Sequence, residues 1–165
     1  MELLFYFAFL AILTTVVINA LLAMTNAFRE TTVITEFTQA GDIMERISRE
    51  IKQATSISSI STNSLVLNST DSSGNTETVT FSLSNPSGDS DVQIAVVGGN
   101  NPVSGNLNTP RIKIPVGGLT FTKITDTKGV GVRVTMSVKA TNDPKGRIIN
   151  FFDTLVLRGS YAPAS

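Results

Sequence analysis

The chain has no histidine, no cysteine and no tryptophan among its 165 residues. Without His or Cys there is no thiol nucleophile, no Ser-His pair and no zinc site built on those ligands. Disulfides are excluded too, so cysteine usage says nothing of redox compartment and the fold must hold by packing. Net charge is also absent, since 13 Lys and Arg balance 13 Asp and Glu. That balance removes any overall electrostatic argument for nucleic acid or an acidic surface. Charge is missing locally as well: no residue from Leu3 to Met24 carries one. As a helix rising ~1.5 Å per residue, this stretch reaches roughly 33 Å, enough to cross a hydrocarbon core. It shows no basic n-region, no shorter apolar core and no small-x-small cleavage site, so it reads as a retained anchor or a buried assembly helix. No Lys or Arg precedes Arg29, so charge bias across the span assigns no orientation.

The composition present is split along the chain. Leu, Ile, Phe and Ala dominate the first 24 residues, whereas Ser, Thr, Asn, Gly and Val dominate beyond residue 55. The expected organisation is a hydrophobic helix over 1–26, its amphipathic continuation over 27–57, and an antiparallel β domain over 58–165. In the continuation, Val33, Phe37, Ala40, Met44, Ile47, Ile51 and Ala54 recur at spacings of three and four, a single stripe suited to packing on a sheet. Glu45 with Arg49 and Arg46 with Glu50 are i,i+4 pairs on the polar faces. Two positions could soften the helix. Asn19 is the strongly polar side chain of the apolar run, beside Thr14 and Thr15, whose hydroxyls are expected to bond back within the helix. Gly41 costs about 1 kcal/mol against Ala and permits a bend.

After Ile57 the period becomes two. Leu65–Leu67 and Glu77–Ser84, joined by the turn residues Asp71–Asn75, predict a hairpin. Val92, Ile94 and Val96 predict a third strand, residues 98–110 a long polar loop, and Arg111–Val116 a short edge strand limited by Pro115. Leu119–Thr125, Val132–Val138 and Arg147–Arg158, with turns at Asp126–Gly129 and Asn142–Gly146, predict an antiparallel meander. The fold class is therefore α+β, a long helix covering the apolar face of an antiparallel sheet.

Signals for chemistry are sparse. Asp71–Glu77 places oxygen ligands at alternate positions, but a hairpin turn explains every residue of it. Asn68-Ser69-Thr70 is a glycosylation-type sequon of a kind that arises by chance in Ser/Thr-rich sequence. The basic residues Arg111, Lys113, Lys123, Lys128, Arg133, Lys139, Lys145, Arg147 and Arg158 suit a solvated sheet face, with a stripe binding DNA or another surface ligand as the functional alternative. Phe121, Phe151 and Phe152 are expected to serve the core rather than to stack on bases. No converging carboxylates and no phosphate-binding Gly loop stand out, so the chain reads as non-enzymatic, with neither metal nor cofactor.

The head Glu2-Leu3-Leu4, the run Phe5 through Met24 and the amphipathic end RISREIKQATSI (Arg46 to Ile57), followed by an antiparallel sheet, resemble a type IV pilin or pseudopilin. Glu2-Leu3-Leu4 matches the end of the family's motif, in which a glutamate lies a few residues into the mature helix. The departures are that glutamate's place, second instead of fifth, and the missing basic leader and processing glycine. Asn19 also stands where many pilins kink at a proline, and no C-terminal disulfide can form. The expectation is that a few residues precede this start or that it is internal. The resemblance implies a structural subunit of an extracellular type IV pilus-like filament, a homopolymer of identical subunits drawn from the cytoplasmic membrane by a pilus assembly machinery. Subunit assembly then falls to Glu2, Leu3, Leu4, Phe5, Phe7, Phe9, Leu10, Ile12, Leu13, Val16, Val17 and Leu21, with Glu2 facing the α-amine of a neighbour. A minor pseudopilin of a secretion or DNA-uptake apparatus, and a membrane-anchored extracytoplasmic binding domain, are the alternatives.

Overall fold

The computed structural model describes residues 2–126 and 129–160. Thr127 and Lys128, the tip of the expected Asp126–Gly129 turn, lie outside the described residues, as do Met1 and residues 161–165. The first element is one continuous helix, α1 (Glu2–Gln53), with Glu2 in its first turn and Lys52 in its last, charges that match the helix dipole. Neither Asn19 nor Gly41 interrupts it. A Cβ built at Gly41 would meet only the Phe151 ring, at 4.0 Å, which is ordinary contact. The chain divides into two compact units, Met1–Thr35 and Glu36–Ser165.

The helix ends four residues before the expected residue 57. Ala54 closes it with bonds to the carbonyls of Glu50 and Ile51, at 3.0 and 3.3 Å. The backbone N–H and the hydroxyl of Thr55 then donate to Asn68 O at 2.8 and 2.9 Å. Those bonds draw the chain into β1 (Ser56–Ser61). Ala54 continues the apolar stripe, so periodicity alone carried the helix too far, while strand pairing decides its end.

In the second unit the strands form two antiparallel sheets rather than one. The first has the order β1, β2 (Ser64–Thr70), β3 (Thr76–Leu83), β4 (Val92–Gly98) and β5 (Val103–Asn106). The expected hairpin is β2–β3, with Leu65 opposite Phe81 and Leu67 opposite Val79. The expected loop over 98–110 is in part β5, whose four residues are exposed and polar apart from Val103, so no alternation marked it as a strand. The second sheet contains β6 (Ile112–Lys113), β7 (Leu119–Asp126), β8 (Gly129–Ala140) and β9 (Ile148–Val156). The long β8 takes β7 and then β6 along one edge and β9 along the other. This is the expected meander, with the short edge strand reduced to Ile112 and Lys113, which Ile114 separates from Pro115.

The two sheets are tied together by backbone. Ser90 and Ile114 exchange N–H···O bonds of 2.9 Å, and Phe121 N donates to Thr62 O at 2.9 Å. Alternate residues of each sheet face a common core: Leu65, Leu67, Val79 and Phe81 from the first, Phe121, Val132, Val134 and Met136 from the second. Residues 36–53 of α1 cover this core with Phe37, Ala40, Met44, Ile47 and Ile51, joined by Ile43 and followed by Ala54. The fold is thus α+β, a long helix packed on antiparallel sheet. Val33, the first member of the stripe, belongs to the N-terminal unit and is buried. Of the two expected i,i+4 pairs, Arg46–Glu50 forms at 2.9 Å, whereas Glu45 and Arg49 make no ion pair among the described residues.

One buried group runs against this packing. Glu36 is 3% exposed, and neither carboxylate oxygen has a hydrogen-bond partner among the described residues. Burying a polar group without compensation is unfavourable, so Glu36→Met, which keeps the length and removes the charge, is expected to raise stability by about 1–3 kcal/mol. Denaturant unfolding of the chain lacking residues 1–24 measures it; a drop in stability would show that the carboxylate has a stabilising partner.

Candidate functional site

The N-terminal unit is helical from Glu2 to Thr35, and its apolar surface is turned outward all round. Leu3, Leu4, Phe5, Phe7, Phe9, Leu10, Ile12, Leu13, Val16, Val17 and Leu21 are between 49% and 73% exposed. Tyr6, Ile18, Leu22, Met24 and Phe28 are exposed to the same degree, although the sequence did not single them out. At about 100° per residue these positions cover the full circumference rather than one stripe. Burial of each such side chain contributes about 1.5–3 kcal/mol, so water is the least favourable surrounding for this surface. α1 is long and apolar enough to cross a membrane. A helix of this kind near an N-terminus can anchor a chain in a membrane or act as a signal sequence.

The polar side chains of this unit are arranged to suit an apolar surrounding. Thr14 and Thr15 donate to Leu10 O and Ala11 O at 2.8 and 2.9 Å, and Thr25 to Leu21 O at 2.8 Å. Each hydroxyl is satisfied one turn back, as expected from the sequence. Asn19 is exposed and makes no side-chain hydrogen bond among the described residues. Its amide is therefore available to a neighbouring helix. Glu2 is exposed in the first turn, where unpaired backbone N–H groups favour an anion.

The second unit holds the remaining candidates. Asp71 is a turn anchor. Its Oδ1 accepts from Ser73 N and Asn75 N, both at 2.8 Å, and its Oδ2 from Asn75 Nδ2 and Asn100 N. The Asn75 amide, first among these donors, holds the carboxyl below its ordinary range. With both oxygens so engaged, the alternate oxygens of Asp71–Glu77 close a hairpin. Among the described residues no group of three or more acidic side chains is placed to hold a metal. Asn68 of the sequon lies within β2, a strand paired on both sides, and donates to Ser56 Oγ at 3.2 Å.

Three of the basic residues are held in ion pairs. Lys113 pairs with Asp91 at 2.6 Å, Lys139 with Asp89 at 2.5 Å and Arg147 with Asp143 at 2.9 Å. Lys113 lowers the Asp91 carboxyl below its ordinary value, and Arg147 does so far more strongly for Asp143, which also accepts from the Lys145 and Arg147 amides. Arg111, Lys123, Arg133 and Arg158 carry no ion pair among the described residues. The aromatics divide as well. Phe121 is 4% exposed and Phe151 is half-buried, but Phe152 is 82% exposed. The expectation that Phe152 serves the core fails because successive strand residues face opposite sides: Phe151 meets the helix, so Phe152 points away from it.

Asn108 was not legible as important. It is 7% exposed, and its Oδ1 accepts from Val92 N at 2.8 Å while its Nδ2 donates to Asp91 Oδ1 and Ile112 O, both at 2.6 Å, and to Thr109 O at 3.2 Å. One amide thus joins the start of β4 to β6 and so couples the two sheets. Asn108→Ala is expected to destabilise by about 3 kcal/mol, through lost bonds and the buried groups left unpaired. Thermal unfolding checks this, and a loss well under 1 kcal/mol would contradict it. Beside it, Gln39, Asp42, Ile43 and Arg46 of α1 and Leu107 and Ile112 line a cleft of about 220 Å³. No protein-family model matches the chain, and no curated protein or solved structure matches it.

Proposed function

We propose that the chain is a non-enzymatic structural subunit of an extracellular type IV pilus-like filament, held in the cytoplasmic membrane before assembly. The observation that carries this reading is the all-round apolar surface of Leu3–Met24, joined to a separately packed α+β domain. Lipid satisfies such a surface first, and neighbouring copies of the same helix then replace lipid with Leu, Ile and Phe contacts. The back-bonded Thr hydroxyls allow both states without an unpaired donor. Asn19 supplies a polar contact between helices, and Glu2 a carboxylate for the α-amine of an adjacent subunit.

A membrane-anchored extracytoplasmic domain that never polymerises is the second reading, favoured by the same span-length helix. Fractionation of source cells separates the two. A filament subunit leaves the cells with sheared surface material, whereas an anchored domain stays entirely with the membranes. A minor pseudopilin shares the fold and the filament but contributes few copies to the sheared material.

A further inference from the structure

Charge is balanced over the chain but not along it. Residues 111–160 hold nine of the 13 cations and three of the 13 acids, so the second sheet is basic and the remainder acidic. On the outer face of that sheet, Phe152 stands opposite Thr135 and Arg133 opposite Thr154. Phe152 and Arg133 are therefore diagonal neighbours, roughly 7–8 Å apart. Phe152 is 82% exposed, Ile148 and Val156 on the same face are half exposed, and Arg133 has no ion pair among the described residues. This is an apolar knob beside an uncompensated cation.

The cleft on α1 has the opposite form. Buried Ile43 and Ile112 and half-buried Leu107 make it apolar, and exposed Asp42, which also has no ion pair, stands on its wall. The Arg46 guanidinium pairs with Glu50 at 2.9 Å and its side chain is 43% exposed, which leaves its plane open to an aromatic face. A volume of about 220 Å³ accommodates a phenyl ring, since benzene fits a cavity of ~150 Å³.

The knob cannot fill the cleft of its own chain. Gly41 and Ser48 mark the flank of α1 that meets β9: a Gly41 Cβ would lie 4.0 Å from Phe151, and Ser48 Oγ donates to Asp153 Oδ2 at 3.2 Å. Gln39, Asp42 and Arg46 lie roughly 100–160° around the helix from that flank. Phe152 in turn points from β9 away from the helix. Two complementary patches on different sides of one molecule make a head-to-tail contact, which propagates rather than closes unless its rotation forms a ring.

We infer that Phe152 of one copy seats in the α1 cleft of a second copy, with Arg133 of the first against Asp42 of the second. The inference rests on the filament reading and names a contact between its globular domains. The chain has no cysteine, so introduced thiols report contacts unambiguously. A chain with Gln39→Cys and Thr154→Cys, oxidised in sheared material and membranes, is expected to give a ladder of disulfide-linked oligomers. A separate Val17→Cys chain reports helix-to-helix packing. Phe152→Ala is expected to weaken the ladder about tenfold, as loss of an aromatic anchor does, without changing the Val17→Cys dimers. Asp42→Arg and Arg133→Asp should each weaken it, and the two combined should restore it. Helix dimers without a ladder, a ladder indifferent to Phe152→Ala, or no restoration by the double swap would overturn the inference and leave the filament reading standing. Absence of both products would overturn both.

Discussion

Removing residues 1–24 should convert an insoluble or filamentous protein into a soluble monomer, since the single Phe152 contact between domains buries too little surface to hold copies together without the packed helices. The segment carries Leu, Ile, Val, Phe and Met side chains exposed on every side of α1, each contributing about 1.5–3 kcal/mol once removed from water. The sum is far larger than the stability of a typical domain, so the segment dictates solubility whatever the rest of the chain does. The remainder has the means to stand without it. Its core of Phe81, Leu65, Leu67, Val134, Met136 and Ile47 lies in the unit Glu36–Ser165. Analytical ultracentrifugation of the truncated chain measures the result. Filaments formed by the truncated chain would place the assembly surface elsewhere and sink the proposal.

Glu2→Ala should abolish or severely reduce assembly while leaving the sheets folded. In an isolated anchor Glu2 sits at a wet interface in the first helical turn, where the dipole already favours it and its removal matters little. In the proposed filament it would partner the buried α-amine of an adjacent subunit. Removing one member of a buried pair costs roughly 3–5 kcal/mol because the other charge is left alone. Per subunit contact, that raises the concentration needed for assembly by roughly two to four orders of magnitude. Such pairs set register more than they add net stability, so residual filaments should be irregular. Filament yield, with circular dichroism to show an intact β domain, decides the matter. Normal filaments would remove the pairing and leave Glu2 as an interfacial carboxylate.

The helix and its two characters were plain in the sequence because both signals are long-range and redundant. An uncharged run and a seven-membered stripe survive any single ambiguity, and the stripe residues from Phe37 to Ala54 are all buried. The meander was legible for the same reason, since Val132, Val134, Met136 and Val138 alternate cleanly. What was hidden depends on partners distant in sequence. The helix end is fixed by Asn68 O, 13 residues from Thr55. β5 carries no alternation of its own and exists because Gln93–Val96 pair with it. The sheets separate into two through bonds such as Ser90 to Ile114. For the candidate assembly surface, the apolar residues named from the sequence are exposed, and the exposed circumference also includes Tyr6, Ile18 and Leu22. The outward turn of Phe152 depends on strand register within a Phe-Phe pair, where one residue of shift exchanges the two faces. Glu36 shows the converse limit. It occupies a position next to the apolar stripe, and only packing reveals that a carboxylate there is buried.

Electron microscopy of surface material sheared from the source cells, labelled with antibody against the domain over residues 58–165, tests filament assembly most directly. The filament reading predicts thin helical filaments decorated at regular intervals along their length, with the label lost when Glu2→Ala replaces the native chain. Unlabelled filaments, with all of the protein retained in the membrane fraction whatever residue stands at position 2, would contradict it.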